Sequence, residues 1–223
     1  MSLQPKENIY LMPGLAASSK IFEHINIQND NYLLHRLDWI NPIKNESLQD
    51  YCRRFSKKIK HKSPVLLGVS FGGIIVQEID KLIDAKKVII ISSVKSHKEF
   101  PKIFKYAKDF ELIKAIPFGM FDNFIKLSMK FNIDKIYKRI KLAERYLTER
   151  DQQYLEWSVK NILSWEQENY RKDIIHIHGD NDHVFPINNI QNCITLKGGG
   201  HEMIILKAKW FNQNLIDLIE RSQ

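Results

Sequence analysis

The sequence has few cysteines, little glycine and no long apolar run. Its two cysteines, Cys52 and Cys193, lie far apart and belong to no CxxC or Cys/His pattern, which argues against a disulfide scaffold or a zinc finger. No stretch approaches the roughly 18 consecutive apolar residues that a membrane-spanning helix needs. The amino terminus, MSLQPKEN, lacks the basic and then apolar pattern of a secretory signal. These absences predict a soluble, cytoplasmic chain without a membrane span.

The 223 residues are 43% hydrophobic and 27% charged, which suits one domain with a sizeable core, or a domain with a large insertion. The formal net charge is +8, and residues 98–145 hold 12 Lys or Arg against 6 Asp or Glu. These basic residues fall on the polar side of helical patterns, and no nucleic-acid-binding motif accompanies them. We therefore expect a solvated basic face that binds no nucleic acid and at most weakly attracts acidic partners.

Short apolar runs alternate with helical patterns in the first part of the chain and again near its end. The runs predict strands at residues 9–12, 32–37, 65–69, 88–91, 174–177 and 193–196. Helices are predicted at residues 47–60, where Ser47 and Asp50 form a capping-box-like start, and at residues 72–83 and 202–220. Apolar runs of this kind are typical of strands buried on both faces. The alternation predicts an α/β fold with a doubly wound, mostly parallel sheet of about six strands.

Strand patterns are absent from residues 97–168, where 13 of the 24 aromatic residues lie. Apolar residues recur there at helical spacing, at Ile103, Ala107, Phe110, Ile113, Ile136, Ile140, Ala143 and Leu147. Thr148 followed by Asp151 predicts a further helix start. We expect an all-helical lid, inserted before the penultimate strand between core segments 1–96 and 169–223. Most of its aromatic residues should form the lid's own core, and a minority should line a cavity.

Glycine is scarce, so each glycine predicts a specific demand of the backbone. Eight of the nine lie at predicted strand ends: Gly14, Gly68, Gly72, Gly73, Gly179, Gly198, Gly199 and Gly200. Ligands of open parallel sheets bind at the carboxyl ends of the strands. Four tight loops on one rim of the sheet therefore predict a binding or catalytic site there.

One of these turns, Gly68-Val69-Ser70-Phe71-Gly72, has the pattern G-x-S-x-G. It follows a predicted strand and opens a helical pattern, as a nucleophile elbow does. The turn is so sharp that side chains two residues before and after the serine would collide, which accounts for glycine at both places. The pattern predicts Ser70 as a nucleophile; the alternative is a tight strand–helix turn with an idle serine.

A serine hydroxyl needs a base, and the base needs a group that orients it. His201 follows three glycines after the last predicted strand, so its loop can bring an imidazole over Ser70. Asp182 lies three residues beyond Gly179, far enough to point back across the rim, whereas Asp180 is better placed to bond backbone amides. We favour Asp182 as the acid and keep Asp180 as the alternative. Four other histidines read as surface or strand residues: His24, His35, His61 and His97.

In chain order, three motifs resemble the α/β-hydrolase superfamily: the elbow at Ser70, the His-Gly-x-x-Asp turn at His178–Asp182, and Gly200-His201. The resemblance extends from Tyr10 to the last helix. It implies a serine hydrolase that cleaves a carboxylic ester or thioester through an acyl-enzyme on Ser70, with His201 as base and Asp182 as the acid. It also implies that the amino-terminal strand pair of larger relatives is shortened or absent.

The resemblance further implies an oxyanion hole made by the backbone N–H groups of Phe71 and Leu15. Family members often carry His-Gly after the first strand where this chain has Pro-Gly, so Ala16 remains an alternative to Leu15. No cofactor is implied. The aromatic lid favours a small-molecule substrate with an apolar acyl or aryl group, and the sequence leaves a monomer and a homodimer open.

Three rival interpretations remain. The residues His176, His178, Asp180, Asp182 and His183 are similar to the His-x-His-x-Asp-His motif of metallo-β-lactamase-like hydrolases. Because Asn181 stands where the third histidine should be, we expect no metal site. The α/β-hydrolase fold also hosts cofactor-free lyases, dehalogenases and peroxidases, and a serine at the elbow disfavours only the dehalogenases. A non-catalytic ligand-binding protein is the remaining class, although binding alone needs no proton relay.

Overall fold

The computed structural model describes residues 6–102, 104, 141–142 and 144–221. They contain one six-stranded sheet in which every pair of neighbouring strands is parallel. The strands are β1 (Glu7–Met12), β2 (Tyr32–Arg36), β3 (Val65–Val69), β4 (Lys87–Ile91), β5 (Ile175–Gly179) and β6 (Ile194–Leu196). The six predicted strands and the α/β class are confirmed, and the sheet is wholly parallel where we expected a mostly parallel one.

The strand order β2-β1-β3-β4-β5-β6 places a topological switch at β1. The chain adds β2 on one side of β1 and then builds β3 to β6 outward on the other side. Connections that leave a switch point in opposite directions open a crevice at the carboxyl ends of the strands. The loops after β1, β3, β5 and β6 therefore lie together at the carboxyl ends of the strands.

Five α-helices lie wholly within the described residues: α1 (Leu48–Ser56), α2 (Phe71–Asp80), α3 (Gln152–Ser164), α4 (Met203–Leu206) and α5 (Ala208–Glu220). The Ser47 hydroxyl accepts the N–H of Asp50, so the predicted start of α1 is confirmed, although α1 ends four residues before Lys60. Helix α3 is capped by Asp151, whose carboxylate accepts the N–H of Tyr154; the prediction that Thr148 would be the cap is wrong.

The single helix predicted for residues 202–220 is in fact two helices. Lys207 ends α4 and begins α5, with backbone angles of φ −115° and ψ 23°. The break lets Ile204 of α4 and Phe211 of α5 pack into the same hydrophobic cluster. A periodicity pattern does not reveal such a break, because apolar residues continue on both sides of it.

Both faces of the sheet are covered, and strand residues alternate between them. The α5 face, defined by Ile9, Leu11, Leu67 and Ile89, packs against α4, α5 and the short 3-10 helix Ser19–Phe22. The α2 face, defined by Tyr10, Met12, Leu66 and Ile90, packs against α1, α2 and α3. No helix among the described residues is long and apolar enough to cross a bilayer.

Most of the predicted lid lies outside the described residues. That holds for the apolar positions Ile103, Ala107, Phe110, Ile113, Ile136, Ile140 and Ala143, and for the aromatic residues Phe118, Phe121, Phe124 and Phe131. Three described aromatic residues of this segment, Phe100, Trp157 and Trp165, belong to the cluster on the α2 face of the sheet. These three residues pack against the sheet and not within a separate lid core. That most of the segment's aromatic residues form such a core stays a prediction, as does the extent of the lid.

Candidate active site

Ser70 lies between β3 and α2 in a conformation that side-chain-bearing residues rarely adopt, with φ 52° and ψ −120°. A Cβ atom on Gly68 would lie 2.2 Å from the Gly72 carbonyl oxygen, and one on Gly72 would lie 2.4 Å from the Pro13 carbonyl oxygen. Both positions therefore require glycine. The N–H of Ser70 donates to the Ile91 carbonyl oxygen at 2.9 Å, which fixes the strained backbone in place.

Ser70, His201 and Asp182 lie together in one hydrogen-bonded series. The Nε2 atom of His201 is 2.9 Å from the Oγ atom of Ser70, and its Nδ1 atom is 2.9 Å from the Oδ2 atom of Asp182. A carboxylate only accepts hydrogen bonds, so Nδ1 carries the proton and the unprotonated Nε2 accepts the Ser70 hydroxyl. This tautomer is the one that a general base needs.

The Asp182 side chain is wholly buried, whereas the His201 side chain remains 27% exposed. Burial alone would raise the pKa of Asp182, but the hydrogen bond and positive potential of His201, together with the N–H of Phe185, leave that pKa below its ordinary value. The other carboxylate oxygen, Oδ1, accepts the N–H groups of Val184 and Phe185 at 2.8 and 2.9 Å. Asp182 is therefore ionised at neutral pH and held by both oxygens.

Asp180, the alternative acid, makes a different contact. Its Oδ1 atom accepts the N–H of Gly198 at 2.7 Å, and the residue is exposed. It links the turn after β5 to the glycine loop that carries His201. The structure therefore brings Asp182 and not Asp180 to the imidazole.

The loop after β1 lies directly beside Ser70, since a Cβ atom on Gly14 would be 3.3 Å from the Ser70 Cβ atom. In the part of the chain that the structure describes, the N–H groups of Leu15 and Phe71 donate to no protein acceptor. The N–H of Ala16, by contrast, donates to the Tyr154 hydroxyl at 3.3 Å. Leu15 is thus the better placed of the two candidate donors.

A cavity of about 340 Å³ opens beside Ser70 and His201. Its lining is mainly apolar and comes largely from the α5 face of the sheet and from residues just before α3. The lining side chains include Leu15, Ala17, Ile21, Tyr146, Leu147 and Ile204. Ala17, Ile21, Tyr146 and Ile204 are buried, whereas Asn181, His183 and Val184 are exposed at the mouth.

The possible metal ligands on β5 and its turn do not converge. His176 and His178 are buried and contact each other, with Nε2 of the first 3.3 Å from Nδ1 of the second, while Asp180 and His183 are exposed. Nowhere in the described ranges are three or more His, Cys, Asp or Glu side chains arranged to hold a metal ion. These two histidines contribute to the packing of the α2 face.

Two further residues lie at the site without having been singled out in the sequence. Tyr154 of α3 bonds the loop beside Ser70 from 138 positions along the chain, so no local pattern could have pointed to it. Phe185 bonds Asp182 through its backbone and stacks edge-on against His201, with the ring centroids 5.6 Å apart. The only local signal for Phe185 was its place in the turn that follows Asp182.

Solved structures match nearly the whole chain at low sequence identity. A hydrolase from Pseudomonas aeruginosa PA01 is 10% identical with a TM-score of 0.70, the match covering 97% of this chain and 91% of the other. A bromoperoxidase from Bacillus anthracis is 17% identical with a TM-score of 0.67, covering 97% and 92%. The esterase EaEST from Exiguobacterium antarcticum is 15% identical with a TM-score of 0.66, covering 98% and 94%.

No protein-family model matches the sequence, and the search of curated proteins found no match either. At identities this low, structural likeness establishes the fold alone. The parallel sheet, its strand order and these matches agree with one another, and the chain has the α/β-hydrolase fold.

Proposed function

We propose that this protein is a serine hydrolase that cleaves a carboxylic ester or thioester through an acyl-enzyme on Ser70. The observation that carries the proposal is the unbroken series Ser70–His201–Asp182, with 2.9 Å at both contacts and Ser70 held at a positive φ. A serine that served only as a turn residue would need neither an imidazole at its hydroxyl nor a buried carboxylate behind that imidazole. The solved structures support a hydrolase in general terms through their shared fold.

In acylation, the Ser70 Oγ atom attacks the substrate carbonyl carbon while its proton passes to Nε2 of His201. The imidazolium that forms keeps its Nδ1–H bonded to Asp182, whose negative charge stabilises it. Collapse of the tetrahedral intermediate breaks the bond to the alcohol or thiol, which leaves with the proton from Nε2. Water then repeats the sequence on the acyl-enzyme and releases the acid.

The negative oxygen of the tetrahedral intermediate requires preorganised donors. We infer that these are the N–H groups of Phe71 and Leu15, because both lie beside Ser70 and neither donates to a protein acceptor within the described residues. Each such donor contributes roughly 3 kcal/mol of transition-state stabilisation in comparable sites. The N–H of Ala16 is already committed to Tyr154.

The substrate should carry an apolar acyl or aryl group. The cavity of about 340 Å³ next to Ser70 lies at the lower end of the range for small-molecule pockets and is lined mainly by aliphatic side chains. An acyl chain bound there removes apolar surface from water, at about 0.8 kcal/mol per methylene group. The alcohol or thiol side of the bond would then face the polar and exposed mouth near Asn181 and His183.

A fluorophosphonate probe tests the nucleophile directly, because it bonds covalently only to an activated serine. Wild-type protein should be labelled, and Ser70→Ala should not be. Ser70→Ala should also lose hydrolysis of p-nitrophenyl butyrate by a factor on the order of 10⁶. A folded wild-type protein that is neither labelled nor active would contradict the proposal and favour a ligand-binding protein.

The neighbouring aspartates provide a matched test of the acid. Asp182→Asn should lower kcat by about 10⁴-fold, since an amide cannot hold the same tautomer of His201. Asp180→Asn removes a carboxylate two residues away that bonds only the loop, and kcat should change little. The opposite order of effects would reject Asp182 as the acid.

We infer that the enzyme is cytoplasmic, because its two cysteines form no disulfide. We also expect it to be a monomer or a homodimer. Cys52 is buried and Cys193 is partly exposed, and both are free thiols. Size-exclusion chromatography with light scattering distinguishes the two oligomeric states.

A further inference from the structure

A buried histidine that takes no part in the proposed reaction lies directly behind the Asp182 turn. The side chain of His178, at the carboxyl end of β5, has no exposed surface. Its Nε2 atom is 2.8 Å from the carbonyl oxygen of Phe185 and 3.6 Å from Oδ2 of Asp182. A carbonyl oxygen only accepts, so this Nε2 carries a proton and donates it to Phe185.

Phe185 is in contact with both the acid and the base. Its N–H donates to Oδ1 of Asp182 at 2.9 Å, and its ring lies edge-on to the His201 imidazole. The carbonyl of the same residue is the group that His178 holds. Any movement of Phe185 would therefore act on the carboxylate through the backbone and on the imidazole through the ring.

A second buried histidine contacts the ring nitrogen of His178 that does not bond Phe185. Nε2 of His176 is 3.3 Å from Nδ1 of His178, so His176 donates to a nitrogen that must be unprotonated when His178 is neutral. The ionisable groups facing this pair are Asp182 and His201 on the side of the turn and Lys95 on the side of His176. Burial lowers the pKa of both histidines, most strongly for His176, and keeps both neutral at pH 7.

We propose that His178 is a positioning residue for the hydrolytic reaction. Its Nε2–H donates to the Phe185 carbonyl and fixes Phe185, and Phe185 in turn keeps Asp182 and His201 in hydrogen-bonding geometry. This inference rests on the proposed function for its catalytic meaning. His178 is not among the residues that line the cavity, and its polar contacts within the described residues are with Phe185, Asp182 and His176. Its removal should therefore act on the alignment of the relay and not on substrate binding.

Three variants separate positioning from packing. His178→Phe keeps a ring of similar size but removes the donor. His178→Gln places an amide N–H near the former position of Nε2, within reach of the Phe185 carbonyl. His176→Phe is the matched control, because it disturbs the same buried pair and leaves the contact between His178 and Phe185 intact.

With p-nitrophenyl butyrate, His178→Phe should lower kcat by about 100-fold, since small misplacements of a reacting group have effects of that size. KM should stay unchanged. His178→Gln should restore most of kcat, and His176→Phe should change neither kcat nor KM.

The proposal is overturned if His178→Phe matches the wild type, or if it and His176→Phe lower kcat equally. If His178→Phe does not fold, His178→Gln is compared with His178→Asn, whose shorter amide cannot reach Phe185; equal kcat values again overturn the proposal. The NMR resonance of the His201 Nδ1 proton, assigned by its loss in His201→Gln, reports the hydrogen bond to Asp182 without turnover; it should shift in His178→Phe and not in His176→Phe. Positioning thus remains testable even if wild-type protein hydrolyses no ester, a result that would reject only the proposed function.

Discussion

The two faces of the sheet are packed with different side chains, and each face contributes a different part of the candidate site. Among the described residues, the cluster on the α2 face contains eight buried aromatic residues, and the cluster on the α5 face contains four. Residues of the α2 face surround the Phe71 side chain and so pack against the turn that carries Ser70. The α5 face is mainly aliphatic and opens into the cavity. One face therefore packs behind the turn that carries Ser70, and the other lines the cavity beside it.

The largest effect, on the free energy of unfolding, is expected from truncating a large aromatic side chain on the α2 face. Trp157 packs against Tyr51 at a centroid distance of 4.4 Å and against Phe71 at 6.1 Å, and its indole N–H donates to the Glu46 carbonyl. Trp157→Ala should lower the free energy of unfolding by about 3–5 kcal/mol, through the cavity and the lost hydrogen bond. Urea titration measures the loss.

The control for this prediction is Leu206→Ala, a truncation of a side chain that is 57% exposed, which should change stability by no more than about 0.5 kcal/mol. Similar losses in the two variants would mean that the aromatic packing of the α2 face contributes no special stability. Acyl-chain preference should be the same in both variants.

Two buried alanines sharpen the comparison. Ala17 on the α5 face and Ala85 on the α2 face are both 4% exposed, but only Ala17 lines the cavity. Ala17→Leu should lower the ratio of kcat/KM for p-nitrophenyl octanoate over acetate by about tenfold or more, because the added carbons occupy space meant for the acyl chain. Steady-state kinetics with the two esters measures this ratio.

Ala85→Leu should leave that ratio unchanged and instead lower stability by about 1–3 kcal/mol, since a closed core has no space for three more carbons. If both variants lost stability alone, the cavity would not be the acyl site. A change of selectivity in Ala85→Leu would show that the two faces are not independent.

The smallest expected effect concerns pH. His176 projects to the α2 face, where burial lowers its pKa well below the ordinary value of about 6.5. The unfolded chain therefore takes up a proton that the folded chain does not, so stability is lost as pH falls below about 6.5. The loss is at most about 1.4 kcal/mol per pH unit for one histidine.

Urea titrations at pH 7.5, 6.5 and 5.5 measure this dependence in wild-type protein and in His176→Phe. The variant should lose less stability on acidification, because one buried group that resists protonation is gone. An unchanged slope would show that His176 does not contribute to the acid sensitivity of the fold.

Local signals were enough to predict the sheet and the arrangement of its rim. Buried parallel strands appear as apolar runs, and the steric demands at Gly68 and Gly72 can be read from the chain because no other residue fits there. The proximity of Ser70, Asp182 and His201 followed from their places after strands that end at one edge of the sheet.

The remaining features depend on contacts between distant segments. Tyr154 engages Ala16 and leaves the Leu15 N–H as the better donor, a choice that no pattern near residue 15 contains. The packing of Trp157 and Trp165 on the α2 face could not be predicted from the sequence either. Helical periodicity shows which residues are buried but not what they are buried against. The link from His178 through Phe185 likewise depends on how the turn after β5 folds back on the strand.

The backbone of Ser70 has a lasting consequence for the whole molecule. A non-glycine residue in such a conformation costs on the order of 1–3 kcal/mol, and the cost is present whether or not a substrate is bound. Replacement of Ser70 by glycine would relieve this cost and, under the proposed function, would remove the nucleophile in the same step. Under the proposed function, a screen that ranks variants by melting temperature would therefore favour an inactive variant over the wild type, and the strained serine would be kept for its chemistry and not for stability.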